Sequence, residues 1–102
     1  MVPDTVEAGE SFTVTIGTYG MDSCWEKAAT EVEQAAAPQR ATIRPFDVDA
    51  EQPYLGCRPA VQEFTHTATL SFAQPGAAQV QVHGREMGTN AERTFVRDVI
   101  VR

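Results

Sequence analysis

Residues Phe64–Phe72 read F-T-H-T-A-T-L-S-F, and a second alternating run, Ala77–Gly84, follows the turn Gln74-Pro75-Gly76. Successive side chains of a strand point to opposite faces, so this period of two predicts an extended ribbon with one buried face. The buried face then consists of Phe64, His66, Ala68, Leu70, Phe72, Ala78, Val80 and Val82. The threonines and glutamines between them face water, and an all-β protein is predicted.

The same alternation marks segments at both ends of the chain. These segments are Val2–Glu7, a short edge strand, Glu10–Thr18 and Arg93–Arg102. Their inward side chains are predicted to be Phe12, Val14, Ile16, Val99 and Val101. In the last segment Arg97 and Asp98 interrupt the alternation, which predicts a β-bulge.

The segment Trp25–Ala37 fits two structures. Ser23-Cys24-Trp25-Glu26 fits a helical capping box, and alanine and glutamate favour helix. Against that, Thr30–Gln34 and Ala41–Phe46 flank a turn containing Pro38, as the arms of a hairpin do. Because the surrounding chain is strand, we expect a strand here and keep helix as the alternative.

Length and charge bound the class of protein. The 102 residues predict one domain, residues 1–102, with a single modest core. Eight basic against fourteen acidic residues give a net charge of −6, which argues against nucleic acid and against an anionic membrane surface as partners. No apolar run approaches the roughly 18 residues that span a bilayer, so no membrane insertion is expected in this segment. An upstream lipid anchor is left open.

Cys24 and Cys57 are the two cysteines, and they indicate the compartment. In a small β-domain rich in threonine and valine, the leading interpretation is a disulfide. A disulfide predicts an extracytoplasmic location: periplasmic, cell-surface or secreted. Two unpaired buried thiols in a cytosolic protein are the alternative. If the bond forms, Cys57 pins the long acidic loop Asp47–Glu63.

About seven short strands, with turns every 8–12 residues or so, favour a two-sheet sandwich over a barrel. The chain resembles the immunoglobulin-like β-sandwich modules of bacterial secreted proteins and lipoproteins at Val6–Val14 (V-E-A-G-E-S-F-T-V), Leu70-Ser71-Phe72, Pro75-Gly76, Val80, Val82, Gly84 and Val99-Ile100-Val101. The resemblance implies an immunoglobulin-like sandwich that serves as a spacer, adhesion or interaction unit. Because Trp25 adjoins Cys24, antibody-like recognition is not implied.

The order of up-and-down strands predicts which loops share an end. The loops Tyr19–Trp25, Asp47–Glu63 and Arg85–Glu92 fall at one pole, and a disulfide would tie the first two together. Binding residues concentrate on such loops. The candidate binding residues at this pole are Tyr19, Trp25, Tyr54, Asp47 and Asp49. The aromatic side chains would stack on sugars or anchor a protein, or, as the default, pack on the disulfide.

Neither a metal site nor a catalytic site is predicted. Oxygen atoms for calcium are offered by Asp22, Asp47, Asp49 and Glu51. However, D-V-D-A-E lacks the glycine and the spacing of an EF-hand loop. The cysteines and histidines are too widely spaced for zinc, and His66 is expected in the core with a hydrogen bond across the sheet. No serine motif or phosphate-binding loop accompanies them, so neither an enzyme nor a cofactor is expected.

The sequence therefore predicts a non-catalytic, extracytoplasmic scaffold or protein-interaction module, working through its shape and its edge strands. It would be an accessory component of a larger surface or envelope assembly, with a protein as partner. The alternative is a carbohydrate- or small-ligand-binding module that uses the aromatic loops of the pole.

Overall fold

A computed structural model describes residues 1–49, 56–85 and 91–102. Within these ranges the chain forms seven strands and no helix. The strands are β1 (Thr5–Val6), β2 (Phe12–Gly20), β3 (Trp25–Ala36), β4 (Gln39–Asp49), β5 (Gln62–Leu70), β6 (Gly76–Arg85) and β7 (Glu92–Val101). The prediction of an all-β protein is confirmed.

The strands form two sheets of unequal size. The larger sheet has the order β1-β7-β6-β4-β3, and the smaller sheet consists of β2 and β5. Most neighbours are antiparallel, but β1 is parallel to β7 and β4 is parallel to β6. Parallel neighbours need a crossover connection. Between β4 and β6 the chain crosses to the smaller sheet, where it forms β5.

The two sheets enclose the apolar face that the alternation predicts. The buried cluster contains Val6, Val14, Ala41, Ile43, Ala68, Leu70, Phe72, Ala78, Val80, Val99 and Val101. Along β5, His66, Ala68 and Leu70 are buried and the threonines between them are exposed. The predicted inward faces are confirmed, with Phe12, Ile16, Phe64 and Val82 half-buried.

Residues Trp25–Ala36 form a strand and not a helix, because they pair with β4 in a long hairpin. Its last pair is Ala36↔Gln39, and the Ala37–Pro38 peptide between them is cis. The register shifts between Lys27 and Thr30, where β3 bulges. Helix propensities differ by only a few tenths of a kcal/mol for most residues, so pairing along the whole of β4 outweighs them.

Three details of the sequence-based prediction are wrong. The register of β6 and β7 is continuous from Gly76↔Val101 to Arg85↔Glu92, so Arg97 and Asp98 form no bulge. The loop predicted from Asp47 begins later, because β4 continues to Asp49. The ribbon is also split between the sheets, since β5 and β6 do not pair with each other. Alternation indicates which face of a sheet a residue occupies, but it does not indicate which two strands pair with each other.

One imidazole connects the two sheets. His66 of β5 is completely buried, and it is the only buried polar residue in the part of the chain that the structure describes. Its Nδ1 lies 2.7 Å from Thr30 Oγ1 of β3, and its Nε2 lies 2.8 Å from Asp47 Oδ1 of β4. A carboxylate only accepts, so Nε2–H donates to Asp47, and in the neutral ring Nδ1 accepts from the Thr30 hydroxyl. The expected cross-sheet hydrogen bond of His66 is therefore present.

Replacing His66 with leucine should destabilise the fold by about 2–4 kcal/mol, because the half-buried Asp47 carboxylate and Thr30 hydroxyl lose their partner. Urea unfolding measures the change. His83→Leu, on the outward face of β6, is the matched control and should change stability by less than about 0.5 kcal/mol. Adding Thr30→Val and Asp47→Leu to His66→Leu should restore part of the loss. Equal stabilities of the two single variants would contradict this account.

Candidate functional site

Four strand ends meet at one end of the molecule, which we call the disulfide pole (residues 19–26, 47–49 and 56–63). The antiparallel pairs place the end of β2 beside the start of β5, and the start of β3 beside the end of β4. The pairs Gly20↔Gln62 and Trp25↔Asp49 mark this edge of the two sheets. The connections after β2 and β4 therefore share one pole, as the strand order predicts.

The bond between Cys24 and Cys57 joins the two connections, with their Cα atoms 5.4 Å apart. The predicted disulfide is present in the structure. Main-chain contacts reinforce it: Ser23 N donates to Arg58 O over 3.0 Å, and Arg58 N donates to Ser23 Oγ over 2.7 Å. The side-chain amide of Gln62 donates to the carbonyl of Asp22 over 2.6 Å. These contacts fix the two loops against each other.

Trp25 packs into the interior of the pole. A Cβ added to Gly20 would lie 2.9 Å from Trp25 Cγ and 3.0 Å from Phe64 Cε2, so both aromatic side chains lie directly on the Gly20 backbone. Gly20 itself is buried. Only a residue without a side chain allows this close approach. The contact forms a small satellite core with Phe64, and the expected packing of Trp25 on the disulfide itself stays a prediction.

Tyr19 lies on the other face of β2. Its side chain points to the same face of β2 as those of Thr13 and Thr15, which are exposed, and 53% of its own surface is exposed. The two aromatic residues therefore do not converge on one binding surface. Asp49 is exposed at the end of β4. Tyr54 lies outside the described residues.

Asp47 faces inward, with its Oδ1 on His66. Among the described residues, the acidic group grouped with the disulfide sulfurs is instead Asp22, whose Oδ1 accepts from Cys24 N over 2.9 Å. A carboxylate oxygen of Asp22 and the sulfurs of Cys24 and Cys57 lie within 4.8 Å of one another. While the sulfurs are bonded to each other, they are not the thiolates that zinc binds. Glu51 lies outside the described residues.

The chain matches no known protein family, no curated protein and no solved structure. Among the described residues, no helix has the length and apolarity needed to cross a membrane.

Sequence reasoning found the buried histidine and missed the two residues that bind it. Thr30 looks like any exposed threonine of an alternating strand, and Asp47 like an acid of a polar loop. Their role depends on the pairing Thr30↔Pro45, which places β3 and β4 in register beneath β5. Knowledge that β3 pairs with β4 with Thr30 opposite Pro45 would have placed Thr30 and Asp47 on the same face, and this would have indicated their role.

Opening the disulfide with Cys24→Ser/Cys57→Ser should destabilise the protein by about 3–4 kcal/mol, the chain-entropy value for a 33-residue separation. The reason is that the unfolded chain gains conformational freedom. Urea unfolding of the double variant measures this loss, and the oxidised protein treated with iodoacetamide should show no alkylated cysteine by mass. Two alkylated cysteines in native protein that has been treated with iodoacetamide but not with a reductant would refute the bond.

Gly20→Ala should destabilise the protein by about 1–3 kcal/mol, because the methyl group overlaps Trp25 and Phe64. Gly17→Ala is the matched control on the same strand, since nothing lies within 4 Å of its added Cβ. The control should change stability by less than about 0.5 kcal/mol. Thermal unfolding of the two variants checks the difference, and equal losses would mean that Trp25 does not pack on Gly20.

Proposed function

We propose that this chain is a non-catalytic, extracytoplasmic module with an immunoglobulin-like arrangement, which acts as a scaffold or protein-interaction unit in a larger surface or envelope assembly. The observation that carries the proposal is a set of exposed large apolar side chains on the larger sheet: Phe46, Val48, Phe95, Val96 and Ile100. Phe46 and Val48 are neighbours on the outward face of β4, and adjacent exposed apolar side chains of this kind are a feature of surfaces that contact another macromolecule.

The placement of the polar residues supports a non-catalytic role. His66 uses both ring nitrogens within the core, on Thr30 and Asp47. The sulfurs of Cys24 and Cys57 are bonded to each other. These residues serve the structure, and a disulfide of this kind is typical of oxidising compartments outside the cytoplasm.

The immunoglobulin-like arrangement is supported by the seven strands in two sheets that the described residues form, and it differs from the standard form in two respects. The smaller sheet has two strands, and β4 runs parallel to β6. Immunoglobulin domains pair their strands in antiparallel sheets of three or four strands. The chain would be a variant with an extended β3–β4 hairpin.

A photo-cross-linking residue in place of Phe46 or Ile100 tests the proposed function in the cells that make the protein. Discrete protein adducts are expected at these positions, because the apolar surface is buried by a partner. The control position is Thr13, which lies on the exposed polar face of β2. Absence of adducts at both apolar positions would contradict a protein-interaction role.

A carbohydrate-binding role is the second candidate, favoured by exposed Tyr19 at the disulfide pole. A glycan array with the original protein and the Trp25→Ala and Tyr19→Ala variants tests it. The proposed function predicts an empty array. Reproducible glycan binding that either variant abolishes would establish the alternative.

A further inference from the structure

Three groups that bind metal ions converge at the disulfide pole. A carboxylate oxygen of Asp22 and the sulfurs of Cys24 and Cys57 all lie within 4.8 Å of one another. Asp22 and Cys24 lie between β2 and β3, and Cys57 precedes β5. Among the residues that the structure describes, no other three cysteine, histidine or acidic side chains come as close together. The sulfurs are bonded to each other in the oxidised protein, so the ability of this group to bind a metal ion depends on the state of the disulfide.

The disulfide is accessible from one side. Cys57 is exposed, whereas only 8% of Cys24 is exposed. The thiolate of a dithiol reductant therefore attacks Cys57 Sγ, the bond between Cys24 and Cys57 breaks, and Cys24 leaves as a thiolate. The second thiol of the reductant then displaces Cys57 and closes the reductant's own disulfide. Two electrons and two protons pass from the reductant to the protein, which now carries two free cysteines.

The two cysteines stay side by side without the bond, because hydrogen bonds hold their segments together. Ser23 N and Oγ pair with the main chain of Arg58 over 3.0 and 2.7 Å. The side-chain amide of Gln62 donates to the carbonyls of Asp22 and Trp25 over 2.6 and 3.2 Å. The expected loss of about 3–4 kcal/mol on opening the bond is smaller than the roughly 5–15 kcal/mol by which native domains are stable. The reduced pole is therefore expected to stay folded, with its ligands preorganised.

The Asp22 carboxylate is held beside the sulfurs. Its Oδ1 accepts from Cys24 N over 2.9 Å, and the residue is half-buried. A hydrogen bond of this kind orients a carboxylate that ligates a metal ion. Zinc bonds sulfur at about 2.3 Å and carboxylate oxygen at about 2.0–2.2 Å, so its tetrahedral ligands lie about 3.5–3.8 Å apart. With the cysteine Cα atoms 5.4 Å apart, rotation of the side chains reaches these distances.

The donor atoms select the kind of metal ion. Thiolates favour soft ions such as Cu(I) and also Zn²⁺, whereas carboxylates favour hard ions such as Mg²⁺ and Ca²⁺. Zinc is the borderline ion that takes both kinds of ligand in one site. Two thiolates and one carboxylate therefore fit zinc better than calcium or Cu(I). Three protein ligands leave the fourth position of a tetrahedral zinc ion for water.

We propose that the disulfide pole of the reduced protein is a zinc site, in which the thiolates of Cys24 and Cys57 and the carboxylate of Asp22 bind Zn²⁺. The inference is independent of the proposed interaction function, which concerns the exposed face of the larger sheet. Zinc displaces the thiol protons, which pass to the solvent. It joins the same two segments as the disulfide does, so the arrangement of the pole is kept in both states.

Cobalt and zinc titrations of the reduced protein test the site. The protein is reduced with a phosphine, which becomes the phosphine oxide, and is freed of the reagent under argon. Binding of Co²⁺ should produce the near-ultraviolet charge-transfer band of thiolate ligands, and Zn²⁺ should abolish the band by displacing cobalt. The oxidised protein should show no band. Zinc should also raise the unfolding temperature of the reduced protein and leave that of the oxidised protein unchanged.

Two aspartate variants separate this site from binding by two thiols alone. Asp22→Asn should weaken zinc binding to the reduced protein by at least about tenfold, because a neutral amide replaces a carboxylate ligand. Asp49→Asn is the matched control, since Asp49 is exposed at the same pole and lies outside the group of ligands. The control should bind zinc as the original protein does. Competition with a chromophoric zinc chelator measures the affinities of both variants.

Equal zinc affinities of the two aspartate variants would overturn the inference, because the Asp22 carboxylate would then not be a ligand. Cobalt binding without a charge-transfer band would overturn it as well, and so would a reduced protein that zinc does not stabilise. If reduction unfolds the chain, zinc should restore its native circular dichroism spectrum, and failure to restore it would reject the site.

Discussion

The hydrogen bonds of His66 are the constraint on which the arrangement of the two sheets depends. Apolar burial stabilises the contact between the sheets, but it has no direction and tolerates many relative positions. His66 adds direction, since its ring on β5 must meet Thr30 on β3 and Asp47 on β4 together. A buried polar group that misses its partner costs about 1–3 kcal/mol, more for a charged one. We infer that this penalty selects the position of the smaller sheet over the β3–β4 hairpin.

This position explains the asymmetry of the molecule. With β5 fixed over the hairpin, the two-stranded sheet covers one side of the five-stranded sheet and leaves part of β7 exposed. The same position brings the end of β2 beside the start of β3, where Cys24 reaches Cys57 and Trp25 packs on Gly20. The packing at the disulfide pole and the exposure of part of β7 therefore both follow from the position of β5 over the β3–β4 hairpin.

The sequence predicts the faces of the strands well because alternation is a local property. Val14, Leu70 and Val99 are each buried as the pattern indicates, and the cysteine pair forms the expected bond. Partners between strands are not local. Nothing in the residues of β4 indicates that it runs parallel to β6, and the helix-forming composition of β3 conceals a strand. The split of the ribbon between two sheets and the roles of Thr30 and Asp47 follow from those pairings, so they could not be predicted.

The measurement that tests this account most directly is a set of nuclear Overhauser contacts from the His66 ring in the labelled protein. The account predicts contacts from the ring protons to the Thr30 methyl group and to the Asp47 methylene group. It also predicts a slowly exchanging Nε2 proton, together with Hα–HN contacts that show β4 and β6 to be parallel. A ring proton that exchanges freely with solvent, without contacts to β3 or β4, would contradict the proposed link between the sheets.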